Sequence, residues 1–387
     1  MFDFDTLPDR RTSDSVKWHR FEADVLPMWV ADMDFRSPEV VMQALQQRVE
    51  HGIFGYPMDP PELREVVVQR MAERYGWKIA ANDIVFVPGV VSGFNLVCRA
   101  LASEGSAALI QTPVYPPFFQ APTNANMERQ EMQLTLMPDG SYSVDFDAFE
   151  AAITERTKLF ILCNPHNPVG RVFTRSELER MAEICLRHRL TICADEIHSD
   201  LVFPGHAHIP IATVDAEVAK RTITLIAPSK TFNIAGLECS IAIIQDAELR
   251  QQFIHVCQGL VHGINILAQV AGLAAYKEGQ PWLDALLAYL QGNRDYLVDF
   301  VNHELPGVHV ASPEGTYLAW LDCRKADVDG DPFKFFLEKA RVGLNDGKDF
   351  GRSGEGFVRL NFGCPRSMLT ESLQRMKQAL LISEKQK

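Results

Sequence analysis

Residues 222–240 read TITLIAPSKTFNIAGLECS. The opening TITLIA (222–227) is short, apolar, partly β-branched and closed by Pro228, the pattern of an inner strand. Lys230 follows directly. Lysine is seldom fully buried without a partner or a task. It is therefore either a snorkelling surface charge or a desolvated amine used in chemistry, and this stretch alone favours the first. The rest of the chain has to decide.

Four other apolar runs share the layout. DIVFV (83–87) precedes PGVVSGFN, SAALI (106–110) precedes QTPVYPPF, KLFIL (158–162) precedes CNPHNPVG, and LTICA (190–194) precedes DEIHSD. Helical patterns lie between them; TRSELERMAEICLRHR opens with a capping box, Thr174 with Glu177. Alternating strands and helices predict an α/β fold with a mostly parallel sheet covered on both faces. Ligands of such sheets bind outside the carboxyl ends of the strands. The five runs end at Val90, Val91 and Ser92, at Tyr115, at Asn167, at Asp195 and His198, and at Ser229 and Lys230. Neighbouring strands bring all five sets to one crevice, and this convergence argues for chemistry at Lys230. Past about residue 276 the pattern changes to long helical stretches (WLDALLAYLQGNRDYLVDFVNHEL, DPFKFFLEKAR) and short strands (GTYLAWLD, GFVRLNFG). The expected division is a large domain of residues 48–280. A smaller α+β domain combines residues 281–387 with the N-terminal segment 1–47.

The chain has 387 residues, 47% hydrophobic and 23% charged, with net charge −12. That suits a globular protein and disfavours nucleic acid or an anionic membrane as partner. No apolar run approaches the ~18 residues of a membrane span. MFDFDTLPDRR lacks the apolar core of a signal peptide. Eight cysteines are scattered without a CxxC pair, which predicts reduced thiols in a cytoplasmic protein and no metal site.

A lysine amine condenses with aldehydes, and pyridoxal phosphate is a common aldehyde cofactor. It needs an anion beside its ring nitrogen, for which Asp195 is a candidate; a helix cap is the plainer reading of the same residue. Its phosphate needs backbone N–H groups at a helix start, which PGVVSGFN supplies. Its ring needs a stacking partner, such as Tyr115 framed by Pro113, Pro116 and Pro117, and donors to its phenolic oxygen, such as Asn167 and His198. Each of these residues singly has an ordinary structural explanation; only their joint placement favours function.

The ordered set PGVV, TPVYPPF, NPHNPVGRVF, ADEIHSDLVF, SKTFNIAGL and FVRLNFGCPRS resembles the fold-type-I pyridoxal-phosphate enzymes of the aspartate-aminotransferase superfamily. FDFDTLPDRRTSDSVKW (2–18) and LPMWVADMDF (26–35) are similar to motifs of the cystathionine β-lyase-like C–S lyase branch. The resemblance implies a large domain with a mostly parallel, mixed seven-stranded sheet and a pyridoxal 5′-phosphate carried on Lys230. It implies Asp195 at the ring nitrogen, Asn167 and His198 at the phenolic oxygen, and Tyr115 stacked on the ring. The backbone of Val90 and Val91, with Ser229, would hold the phosphate, and Tyr56 would reach the phosphate of a neighbouring subunit in a homodimer with a shared site. Arg359 would clamp the substrate carboxylate under the backbone of Ala31 and Asp32. Many relatives carry arginine eight residues after the lysine and serine three before it. Here these are Glu238 and Ala227, and Glu238 is expected to point away from the phosphate.

The implied activity is α,β-elimination on cystathionine or another cysteine S-conjugate, giving a thiol, pyruvate and ammonia. Lys230 would take the α proton, and Lys230 or Tyr115 would protonate the leaving thiolate. An aminotransferase using the same residues is the alternative. A non-enzymatic protein that kept the fold is a third reading, against which the intact Lys230, Asp195 and Arg359 speak.

Overall fold

A computed structural model describes residues 2–328 and 330–385. The five apolar runs become β1 (Ile84–Val87), β2 (Ala107–Thr112), β4 (Thr157–Cys163), β5 (Thr191–Asp195) and β6 (Thr222–Ile226). Two strands that the sequence reading left out complete the sheet, β3 (Glu128–Gln133) and β7 (Ser240–Ile243). The order is β1-β7-β6-β5-β4-β2-β3. Every pairing is parallel except those of β7, which runs antiparallel to both β1 and β6. The seven-stranded mixed sheet agrees with the expected α/β fold.

Alternate residues of the inner strands feed two separate cores. Leu159 and Ile161 of β4 join Ile110, Phe94 and Leu225 on one face. Phe160 and Leu162 join Leu109, Leu178 and Met181 on the other. Both faces are thus covered, which is why these strands read as unbroken apolar runs. Helix α1 (Val90–Leu101) packs on the first face and α2 (Arg175–Arg187) on the second. The Thr174–Glu177 capping box at the start of α2 forms as predicted: Thr174 N donates to Glu177 Oε2 at 2.8 Å and Glu177 N to Thr174 Oγ1 at 3.3 Å.

A second, antiparallel sheet has the order β8-β9-β11-β10, built from β8 (His309–Val310), β9 (Leu318–Asp322), β10 (Asn345–Asp346) and β11 (Phe357–Asn361). Leu26 and Pro27 pair in parallel with Val342 and Gly343 in a separate two-stranded sheet, and Asn361 N of β11 donates to Met28 O at 2.9 Å. The long helix α3 (Gln280–Glu304) links the two sheets. DPFKFFLEKAR is not one regular helix: after one turn at Pro332–Phe335, residues Phe336–Ala340 widen into a π-turn that ends at Arg341 with φ of 55°. No helix among the described residues is long and apolar enough to cross a membrane.

Candidate active site

The strand ends converge as expected. A cavity of about 430 Å³ is lined by Val90, Val91, Tyr115, Asn167, Asp195, His198, Ser229, Lys230, Ala31 and Arg359. A larger open depression of about 720 Å³, beside Phe119, Arg129 and Lys348, contains none of these groups.

Each wall follows from local structure. Gly89 turns the chain with φ of 94°, a conformation that side-chain-bearing residues rarely adopt, and α1 starts at Val90 with no side-chain cap. Its first N–H groups lack intrahelical partners and form an anion site. The Ser229 side chain lies on the same cavity. Tyr115 N donates to Asn167 O at 3.1 Å, which ties the loops after β2 and β4 together. Asp195 closes β5 and is buried. Its carboxylate accepts from Ile197 N at 3.1 Å and has no cation partner, so burial pushes its pKa up to about 7. Burial likewise pushes His198 down to about 3, and its Nδ1 is buried without a partner.

Lys230 follows β6 in the short helical turn Pro228–Thr231. Its Nζ donates to Ala31 O at 2.7 Å. Burial lowers its pKa to about 8; Arg359 acts in the same direction, while the carboxylates of Asp32 and Asp195 oppose it. A free amine at neutral pH is therefore within reach, as a base or nucleophile requires.

Arg359, on β11, is the only one of these groups contributed by the second sheet. It is 3% exposed and lies over the Phe350 ring at 4.9 Å. Its Nη1 donates to Asn167 Oδ1 at 2.9 Å, and its Nη2 to Trp29 O at 3.0 Å and Asn345 Oδ1 at 2.6 Å. All three acceptors are neutral, and burial lowers its pKa to about 10. A buried guanidinium bonded only to neutral oxygens has the charge and geometry to receive a carboxylate.

Three expectations need comment. Glu238 is exposed, has a left-handed φ of 58° and borders the cavity. Tyr56 lies outside the cavity of its own chain, fully exposed at 106% in the irregular stretch 52–60. Asp32 borders the site beside Ala31 with its side chain bound by Arg10. Sequence reasoning missed Trp29, Asn345, Tyr317 and Asn361. The first acts through its carbonyl, which has no side-chain signature, and the others are ordinary residues of strands and loops.

The donor set fits pyridoxal phosphate. A cation-free buried carboxylate suits its ring nitrogen, an uncapped helix start suits its phosphate, and Lys230 suits its aldehyde.

The chain is 41% identical over 386 residues to cystathionine beta-lyase PatB of Bacillus subtilis (strain 168), covering 97% of this chain and 99% of that protein. The crystal structure of OvoB superposes with TM-score 0.94 at 47% identity, covering 98% of this chain and 99% of that one. The PLP-bound C–S lyase from Staphylococcus hominis superposes with TM-score 0.92 at 36% identity, covering 98% and 99%. The model of the family described as aminotransferase class I and II matches residues 23–376, and this chain belongs to that family.

Proposed function

We propose that this protein is a pyridoxal-5′-phosphate-dependent carbon–sulfur β-lyase acting on L-cystathionine or a related cysteine S-conjugate. One observation carries the reading: a single cavity holds a lysine amine poised near pH 8, a buried carboxylate with no cation and a buried arginine with no acid. The sulfur specificity is supported by relatives named as cystathionine and C–S lyases.

When bound, the cofactor supplies an electron-accepting ring that stabilises negative charge at the substrate Cα. Asp195 would pair with the ring nitrogen and favour its protonated form. Asn167 and His198 would hold its phenolic oxygen, and Tyr115 would stack on the ring. The Val90 and Val91 backbone, with the Ser229 hydroxyl, would hold the phosphate. Arg359 fixes the substrate carboxylate beneath the Ala31 and Asp32 backbone. Lys230 would take the Cα proton and return one to the departing thiolate, with Tyr115 in the same cavity as a second donor. Cystathionine and water thus become homocysteine, pyruvate and ammonia.

The working form in this reading is a two-fold homodimer with Tyr56 reaching the partner's phosphate. Exposed Ile53, Phe54 and Met58 (65%, 57% and 82%) flank Tyr56 and support a covered surface there. The two domains, 48–280 and 1–47 with 281–387, meet at the cavity. Eight free cysteines accord with a cytoplasmic setting.

Purified protein mixed with L-cystathionine tests the activity. Pyruvate and thiol without any keto-acid acceptor is the expected result; product that appears only with an acceptor would mean transamination instead.

A further inference from the structure

Residues 29–32 cross the site with four successive carbonyls, each held by side chains from elsewhere. Trp29 O accepts from Arg359 at 3.0 Å and Val30 O from Asn361 Nδ2 at 2.7 Å. Ala31 O accepts from Lys230 Nζ at 2.7 Å and from the Tyr317 hydroxyl at 2.9 Å. Asp32 O accepts from Asn361 Nδ2 at 2.7 Å and from Lys17 Nζ at 3.0 Å. The Lys230 amine is therefore anchored one residue from the Asp32 carboxylate.

That carboxylate cannot wander. Arg10 forks onto both of its oxygens at 3.1 and 2.7 Å, and Lys17 Nζ lies 3.6 Å away. The same two cations reach Asp34, at 2.7 Å from Arg10 and 2.6 Å from Lys17, and Trp18 Nε1 donates to it at 2.8 Å. Two cations and two anions thus form a neutral cage beside Lys230. Buried ion clusters of this kind are often replaceable by apolar residues at no cost in stability, so stability alone does not account for one built against an amine used in chemistry.

We propose that Asp32 is a positioning residue whose carboxylate, moderated by Arg10, holds the unattached Lys230 amine protonated against the Ala31 carbonyl and so sets how readily it becomes a base. The proposal rests on Lys230 being the amine of the reaction, as argued above. The other groups facing Lys230 are Asp195 at the end of β5, Arg359 on β11, His198 in the loop after β5 and the Tyr317 hydroxyl just before β9. Of the two acids, Asp32 alone is bound to cations, so its influence can be adjusted in either sense. Asp32→Asn removes an anion and makes Lys230 lose its proton more readily. Arg10→Met removes the cation that neutralises Asp32 and makes Lys230 hold its proton more tightly. A simple loss of packing would move both variants the same way.

The test uses the full-length protein freed of cofactor. Trace acetylation with acetic anhydride between about pH 6 and 10 reports the fraction of neutral amine, read as acetyl-Lys230 peptide by mass spectrometry. Arg10 and Asp32 side chains are 21% and 25% exposed, so both variants should fold, and thermal melting checks this. At neutral pH, labelling of Lys230 should rise about threefold in Asp32→Asn and fall about twofold in Arg10→Met, as shifts of a few tenths of a pH unit produce. Shifts in the same direction, or unchanged labelling in either folded variant, overturn the proposal. Should Asp32→Asn not fold, the fall in Arg10→Met is still required. The labelling involves no thioether and no pyruvate, so its failure is separable from failure of the lyase assignment.

Discussion

Arg359→Lys keeps the positive charge at the cavity wall and removes the planar fork. In the folded chain the guanidinium spends three N–H groups on Asn167, Trp29 and Asn345, all neutral. A substrate carboxylate would replace weak partners with a charge-assisted pair. Hydrogen bonds to charged groups contribute about 1.5–3 kcal/mol each, so a two-bond clamp should contribute roughly 3–6 kcal/mol. Lysine, a single strongly hydrated charge on a flexible stem, should recover about a third of that. The expected loss is ~2–4 kcal/mol, or about thirtyfold to nine-hundredfold in kcat/KM. Inhibition of thioether cleavage gives the decisive measurement, with L-alanine and ethylamine as ligands that differ only in the carboxylate. Wild type should bind L-alanine far better than ethylamine, and Arg359→Lys should erase most of that preference while leaving ethylamine nearly unaffected. Equal losses for the two ligands would mean that Arg359 shapes the cavity and does not bind the carboxylate, and the reasoning would fail.

Lys230→Ala should bind pyridoxal phosphate only reversibly: borohydride reduction followed by mass spectrometry should show covalent cofactor in wild type and none in the variant. Asp195 gives the cofactor-free protein a pH-dependent stability. Its folded pKa, about 7, stands above its ordinary carboxylate value, so its contribution is complete below about pH 4 and lost as pH rises through 7. Asp195→Asn carries no such proton, and its stability relative to wild type should therefore grow by ~3 kcal/mol between about pH 5 and 8, read from denaturant melts; a pH-independent difference would contradict this. Gly89→Ala meets open space but must adopt φ of 94°, costing about 1–3 kcal/mol. Because the strain falls at the start of α1, cofactor affinity measured by absorbance titration should drop at least tenfold.

The parallel sheet was legible because its inner strands are buried on both faces, and such strands appear as plain apolar runs. Of the two missed strands only β3 lacks that signature; β7 is buried along its whole length inside the sheet but is short. In β3, ERQEMQ, only Met132 is buried, as befits an edge, and β7 is a four-residue strand, SIAI, set off from its neighbours by reversed direction. The site residues past strand ends were legible by position. Arg359 was not: it lies on a strand of the other sheet, and only resemblance singled it out. Asn361, Tyr317 and Trp29 act on or through backbone carbonyls, and carbonyl placement depends on tertiary structure that no local pattern encodes.

The electrostatics of the cavity form one argument. Burial disturbs Asp195, His198, Lys230 and Arg359, and in each it opposes the charged form. Stability alone would pair these groups with one another, yet no ion pair joins any of them among the described residues. What remains open is a set of complementary demands: a cation at Asp195, a carboxylate at Arg359 and an anion at the start of α1. A zwitterionic amino acid together with a pyridinium phosphate meets all three, whereas a neutral metabolite, a nucleic acid or a bare metal ion meets at most one. The fold holds these groups where burial disfavours their charged forms, and the ligands that relieve it are those the chemistry requires.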